Sequence, residues 1–144
     1  MKFRSLDLAA SMLGLVACAT TPASTSTLQE TASLMTSIGQ HGEGVDIPEA
    51  EAQLNALVAS APSDPFVLKL AAATRRSLSD QSQDRAERVR LRHAALEELD
   101  RALALAKPET PSRIVMISGQ ETEIDLKDLP DLRAQLLHQV QTDR

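Results

Sequence analysis

The chain has 144 residues, 42% hydrophobic and 24% charged, with a formal net charge of −5, which suits one domain around a modest core. Phe3 and Phe66 are its only aromatic residues, so there is no stacking platform for sugars or bases and no cage for a quaternary cation, and the acidic balance disfavours a nucleic-acid partner. Alanine and leucine contribute 21 residues each, a composition suited to closely packed helices.

Lys2 and Arg4 open the chain, an apolar run covers 8–17 with Asp7 at its edge, and the single cysteine, Cys18, follows at once. A basic start followed by about ten apolar residues is an export leader, too short to span a bilayer as a permanent helix. Leu15, Val16, Ala17 and Cys18 resemble the lipobox of bacterial lipoproteins. That resemblance implies cleavage before Cys18, a diacylglycerol on its thiol and an acyl group on the new amine, hence a membrane partner through the lipid. Several acyl chains at about 0.8 kcal/mol per buried methylene give a stable anchor. Ala19, where the family's inner-membrane retention signal has Asp, points to the outer membrane, facing the periplasm. A lone exported cysteine has no internal disulfide partner, and lipidation accounts for it.

The expected division is therefore a signal peptide over 1–17, the lipidated cysteine with a small, polar, flexible tether over 18–27, and a helical domain over 28–144. Leu28, Thr31, Leu34, Met35 and Ile38 follow helical spacing up to Gly39, and the glycines at 39, 42 and 44 read as a hinge, because no Lys-Ser/Thr pair follows to hold a phosphate. Asp46 and Asp64, each with a proline just after it, cap the next two helices, and Pro62 separates them. The polar stretch 77–82 reads as a break, since serine and aspartate compete for backbone amides. A long helix over about 83–106 follows, with Val89, Leu96, Leu99, Leu103 and Ala106 as its seam, flanked by Ala95 and Ala102, and Asp84–Arg88 and Glu97–Arg101 as surface pairs. The period then changes to two within 113–126, giving a β-hairpin. Gly119 is placed at the first corner and Ser118 opposite Glu121, so that Val115, Ile117, Thr122, Ile124 and Leu126 share a face. Asp128 starts a last helix that buries Leu129, Leu132, Leu136, Leu137 and Val140. The expected fold class is mainly α, with four or five helices and one late hairpin.

His41, His93 and His138 are too far apart in sequence to suggest a metal site, and the His93–Glu97 spacing reads as a solvated surface contact. No nucleophile motif is present and Cys18 is consumed by acylation, so neither an enzyme nor a cofactor is expected. The densest feature is basic: Arg75, Arg76, Arg85, Arg88, Arg90 and Arg92 lie among only three acids. These arginines form either a solvated helix face or a contact patch for an acidic partner or anionic headgroups.

Residues 64–108 are similar to a stretched tetratricopeptide unit: Asp64-Pro65 opens one helix, Leu70-Ala71 stands at the family's Leu-Gly pair, and Ala95, Leu99 and Ala102 carry the spacing of the second helix, closed by Pro108. That resemblance implies a helix-turn-helix groove for a protein ligand. The expected function is a non-enzymatic, protein-binding adaptor or assembly factor for another envelope protein. The alternative is a structural or ligand-carrying lipoprotein without a specific protein partner.

Overall fold

Aspartate and proline set most of the helix starts. The computed structural model describes residues 22–42 and 44–143, which form five helices and a hairpin in the order α1 (Pro22–His41), α2 (Ile47–Ser60), α3 (Pro65–Gln81), α4 (Arg85–Leu105), β1 (Arg113–Ile117), β2 (Gln120–Ile124) and α5 (Leu129–Thr142). The fold class is thus mainly α with one late antiparallel hairpin. Leu15, Val16, Ala17 and Cys18 lie outside the described residues. No helix among the described residues is long and apolar enough to cross a membrane.

Asp46 caps α2 by accepting from the Glu49 amide at 3.1 Å, and Asp64 caps α3 by accepting from Phe66 and Val67. These bonds satisfy amides that a first turn leaves without partners. Asp64 also accepts from Arg113 Nη1 at 2.7 Å, and the Arg113 guanidinium lies 5.3 Å from the centre of the Phe66 ring. One aspartate therefore starts α3 and fixes the hairpin to it.

Four expectations are corrected. The tether does not extend to Thr27, because α1 already begins at Pro22. Its hydroxyl-rich sequence is compatible with a helix where the side chains donate back one turn, as Thr31 does to the Thr27 carbonyl at 2.7 Å, and Thr27 and Leu28 are buried. The break expected over 77–82 is confined to its end: α3 runs to Gln81, with Ser79 buried and donating to the Arg76 carbonyl. Asp128 does not cap α5 with its side chain; it takes an ion pair from Lys69 at 2.6 Å instead. The α4 seam is turned by roughly a quarter turn from the expected one, burying Leu91, Ala95, Glu98, Leu99 and Ala102 and leaving Val89 half-buried.

α3 is the central element, buried on most of its circumference from Phe66 to Ser79. On one side Phe66, Val67 and Leu70 meet Leu28 and Ala32 of α1 and Val115 and Ile124 of the hairpin. On another, Leu68 and Ala72 meet Ala95, Leu99 and Ala102 of α4 and Leu129 and Leu136 of α5. Leu78 closes the far end with Ile38, Ala50 and Leu91.

The hairpin face is as expected, but its register differs. Ile117 pairs with Gln120, Val115 with Thr122 and Arg113 with Ile124, so the corner residues are Ser118 and Gly119, both at positive φ (52° and 79°). The slip moves each partner by two residues, and side-chain period two keeps Val115, Ile117, Thr122 and Ile124 on one face. A corner with both residues left-handed favours Asn-Gly over Ser-Gly. Ser118→Asn is expected to raise stability by about 0.5 kcal/mol by relieving left-handed strain, read from urea midpoints.

Candidate functional site

α3 and α4 carry the six arginines singled out by sequence, and the fold distributes them instead of presenting them together. Arg75 points inward and is 6% exposed. Its Nε donates to buried Glu98 on α4, Nη1 lies 3.3 Å from Glu51 Oε2 and Nη2 donates to Asn55 Oδ1 at 2.6 Å, both on α2. Arg90 completes the network with a two-pronged contact to Glu51 at 2.7 and 2.9 Å. Two cations and two carboxylates thus hold three helices together.

A second group gathers at the end of α5. Arg92 donates to Asp143 Oδ2, Arg85 donates to the Asp143 carbonyl at 2.9 and 2.5 Å, and Arg88 lies 3.9 Å from the Asp143 carboxylate while donating to the Ser82 carbonyl. Arg92 also reaches Asp80 and the Ser79 hydroxyl. Of the six, Arg76 alone has a side chain without a charged or hydrogen-bonding partner among the described residues; its carbonyl accepts from Ser79. The six-arginine contact patch is therefore corrected: Arg75, Arg85, Arg88, Arg90 and Arg92 are engaged within the fold. The surface pairs Asp84–Arg88 and Glu97–Arg101 do not form as expected either, since Asp84 caps α4 and Arg101 donates to the Pro62 carbonyl.

The network separates its two acids electrostatically. Hydrogen bonds from Arg90 hold the Glu51 carboxyl below its ordinary pKa. Burial pushes Glu98 above its ordinary value, outweighing Arg75, and its Oε2 has no hydrogen-bond partner among the described residues. Because the folded state then retains the Glu98 proton more tightly than the unfolded chain does, this residue's contribution falls as pH rises from about 4.5 through its folded pKa. Glu98→Gln is expected to flatten that segment of the stability–pH curve. The check is a set of urea melts on both proteins across that window; parallel curves would show that Glu98 is ionised throughout.

Two open grooves flank the helices. Between α3 and α5, Ala72, Leu99, Leu132 and Leu136 floor a space of about 320 Å³ rimmed by Arg76 and Asp80. Between α1 and α2, Leu34 and Leu57 lie among Glu30, Ser33, Gln53 and Ser60 in a shallower space of about 570 Å³. His41, His93, Glu97 and His138 are exposed, and the described residues contain no group of three potential metal ligands.

The hairpin presents a different kind of surface. Ile114 and Met116, 67% and 44% exposed, lie on its outer face with Glu121 and Glu123 across from them. The Gln29 side chain of α1 donates to the Met116 carbonyl at 3.1 Å and accepts from its amide at 2.9 Å. A single side-chain amide thereby occupies the outward backbone groups of Met116, as a neighbouring strand would.

Sequence reasoning missed Gln29, Glu51, Glu98 and Asp143. A usable signal exists for Glu98, which occupies the stripe of Leu91, Ala95 and Ala102, where an acid calls for a buried cation. No protein family, curated protein or solved structure matches the chain.

Proposed function

We propose that the chain is a lipoprotein of the bacterial envelope, anchored through Cys18 in the outer membrane and facing the periplasm, where it acts as a non-enzymatic adaptor or assembly factor for another envelope protein. The observation that carries this reading is the leader: Lys2 and Arg4, the apolar run 8–17 and Leu15-Val16-Ala17-Cys18 at its end. The early start of α1 adds to it, because only residues 19–21 separate Cys18 from a helix built into the domain. Such an anchor holds the domain beside the bilayer instead of far from it. The binding role is supported by surface chemistry: two grooves with apolar floors and a hairpin with exposed Ile114 and Met116 are features of proteins that hold other proteins. The antiparallel pair of α3 and α4 supports a tetratricopeptide-like helix-turn-helix as the scaffold.

The reading is tested by crosslinking in intact cells, followed by purification of the tagged full chain. Recovery of a defined envelope protein, absent when the chain is omitted, is the expected result. Recovery of no protein above background would favour a structural or ligand-carrying lipoprotein.

A further inference from the structure

The two edges of the hairpin are treated differently. In an antiparallel ladder, alternate residues exchange backbone bonds with the partner strand and the residues between them point their amides and carbonyls outward. Gln29 bonds the amide and carbonyl of Met116, so Met116 and Ile114 are the outward residues of β1, and their partners Glu121 and Glu123 are the outward residues of β2. The β1 edge therefore lies along α1 with Gln29 in place of a third strand. The amides and carbonyls of Glu121 and Glu123 have no hydrogen-bond partner among the described residues, and both residues are exposed. An uncovered edge of this kind is a template for one more strand.

Charge decides what that strand is. A residue directly opposite Glu121 or Glu123 places its side chain on the same outer face, next to the glutamate, so the favoured side chain is Lys or Arg. The residues between them turn to the inner face beside Thr122 and Ile124, where Ile124 is already buried with the α3 core, so apolar side chains suit those positions. A second copy of this chain is disfavoured. Antiparallel pairing of two β2 edges sets Glu121 against Glu123, or either glutamate against its own counterpart, and like charges directly opposite destabilise a sheet. Anionic headgroups meet the same two carboxylates.

We propose that the outward edge of β2 is a strand-addition site for an extended segment of a partner protein in which basic and apolar residues alternate. The site rests on the adaptor reading and supplies its recognition chemistry: main-chain hydrogen bonds at Glu121 and Glu123, cations beside their carboxylates, and apolar side chains continuing the Val115–Ile124 face. Residue spacing rather than a fixed sequence sets the specificity.

The test uses the full chain in detergent and a blocked six-residue peptide of alternating lysine and valine, with amide hydrogen exchange followed by nuclear magnetic resonance. The peptide is expected to slow exchange at Glu121 and Glu123 and to weaken with added salt. Replacing lysine with glutamate in the peptide, or making the Glu121→Lys/Glu123→Lys double variant, is expected to weaken binding about tenfold or more. Methylating the peptide amides that face β2 should abolish binding while leaving charge and apolar surface in place. Glu123→Pro removes one outward amide without touching a β1–β2 bond, so it should lose the peptide while its remaining hairpin resonances persist. Equal binding of the methylated peptide, protection elsewhere in the chain, or no binding at all would overturn the site. So would loss by these variants of binding to phosphatidylethanolamine–phosphatidylglycerol vesicles without loss of the peptide. If Glu123→Pro still crosslinks the cellular partner, the edge site fails and the adaptor reading stands. If the wild type binds the peptide at this edge but captures no cellular protein, the adaptor reading fails instead.

Discussion

Arg75→Ala is expected to destabilise the chain by about 3–5 kcal/mol, a large share of the stability of a domain this size. The cost does not come from losing an attractive surface pair. Arg75 is 6% exposed and Glu98 5% exposed, so removing the guanidinium leaves a buried carboxyl whose Oε1 has lost its donor and whose Oε2 had none. The same substitution removes contacts to Glu51 and Asn55 and loosens α2 from α3. Two further measurements separate this cause from simple loss of packing. The deficit of Arg75→Ala should shrink on acidification, because burial already raises the Glu98 pKa and loss of the nearby cation raises it further, so the carboxyl neutralises at higher pH. The double substitution Arg75→Met/Glu98→Met should recover most of the loss, since apolar side chains of similar length need no partners. Arg90 and Glu51 remain paired in that variant. Urea melts followed by far-ultraviolet circular dichroism are suitable, as the chain has no Trp.

Leu99→Ala is expected to cost about 2–5 kcal/mol through lost transfer energy and the cavity left behind. Leu99 is 3% exposed and touches the cluster of Leu68, Ala72, Leu129 and Leu136 where α3, α4 and α5 meet. Ala72, Ala95 and Ala102 supply no side chain long enough to refill the space. Arg90→Ala is the contrast. Its side chain is 55% exposed, and although it grips Glu51 with two bonds, a solvated pair contributes only about 1 kcal/mol or less. Equal effects of the two substitutions in the same melts would mean that α4 does not bury the side it presents to α3 and α5.

The sequence made helix starts legible because capping is local. Asp46 and Asp64 satisfy amides two or three residues away, and the prolines next to them mark first turns. The hairpin face was legible for a similar reason, since alternation alone selects Val115, Ile117, Thr122 and Ile124, whatever the corner. The corner was not, because Ser118 adopts a positive φ that its side chain does not announce. The arginines were the least legible feature. Their acids lie far along the chain, Glu51 before Arg75 and Asp143 beyond Arg92, and only the folded arrangement of α2, α4 and α5 brings them together. Counting apolar residues found Ala95, Leu99 and Ala102 on α4 but centred the stripe too far round, because the buried side includes Glu98. The Gln29 contact with Met116 joins the first helix to the hairpin across most of the chain, beyond the reach of any local pattern.

Every element of the proposed role depends on what happens at Cys18. The direct measurement is the mass of the amino-terminal peptide from the full-length gene product, extracted from bacterial membranes with detergent, alongside Cys18→Ala grown with labelled palmitate. The wild type is predicted to begin at Cys18 with diacylglycerol on sulfur and an acyl group on nitrogen. The alanine variant, which has no sulfur to modify, is predicted to carry no label and to remain uncleaved or soluble. A wild-type chain that begins at Met1 with an unmodified thiol, or a variant that takes up the label and stays in the membrane as the wild type does, would contradict the anchored adaptor.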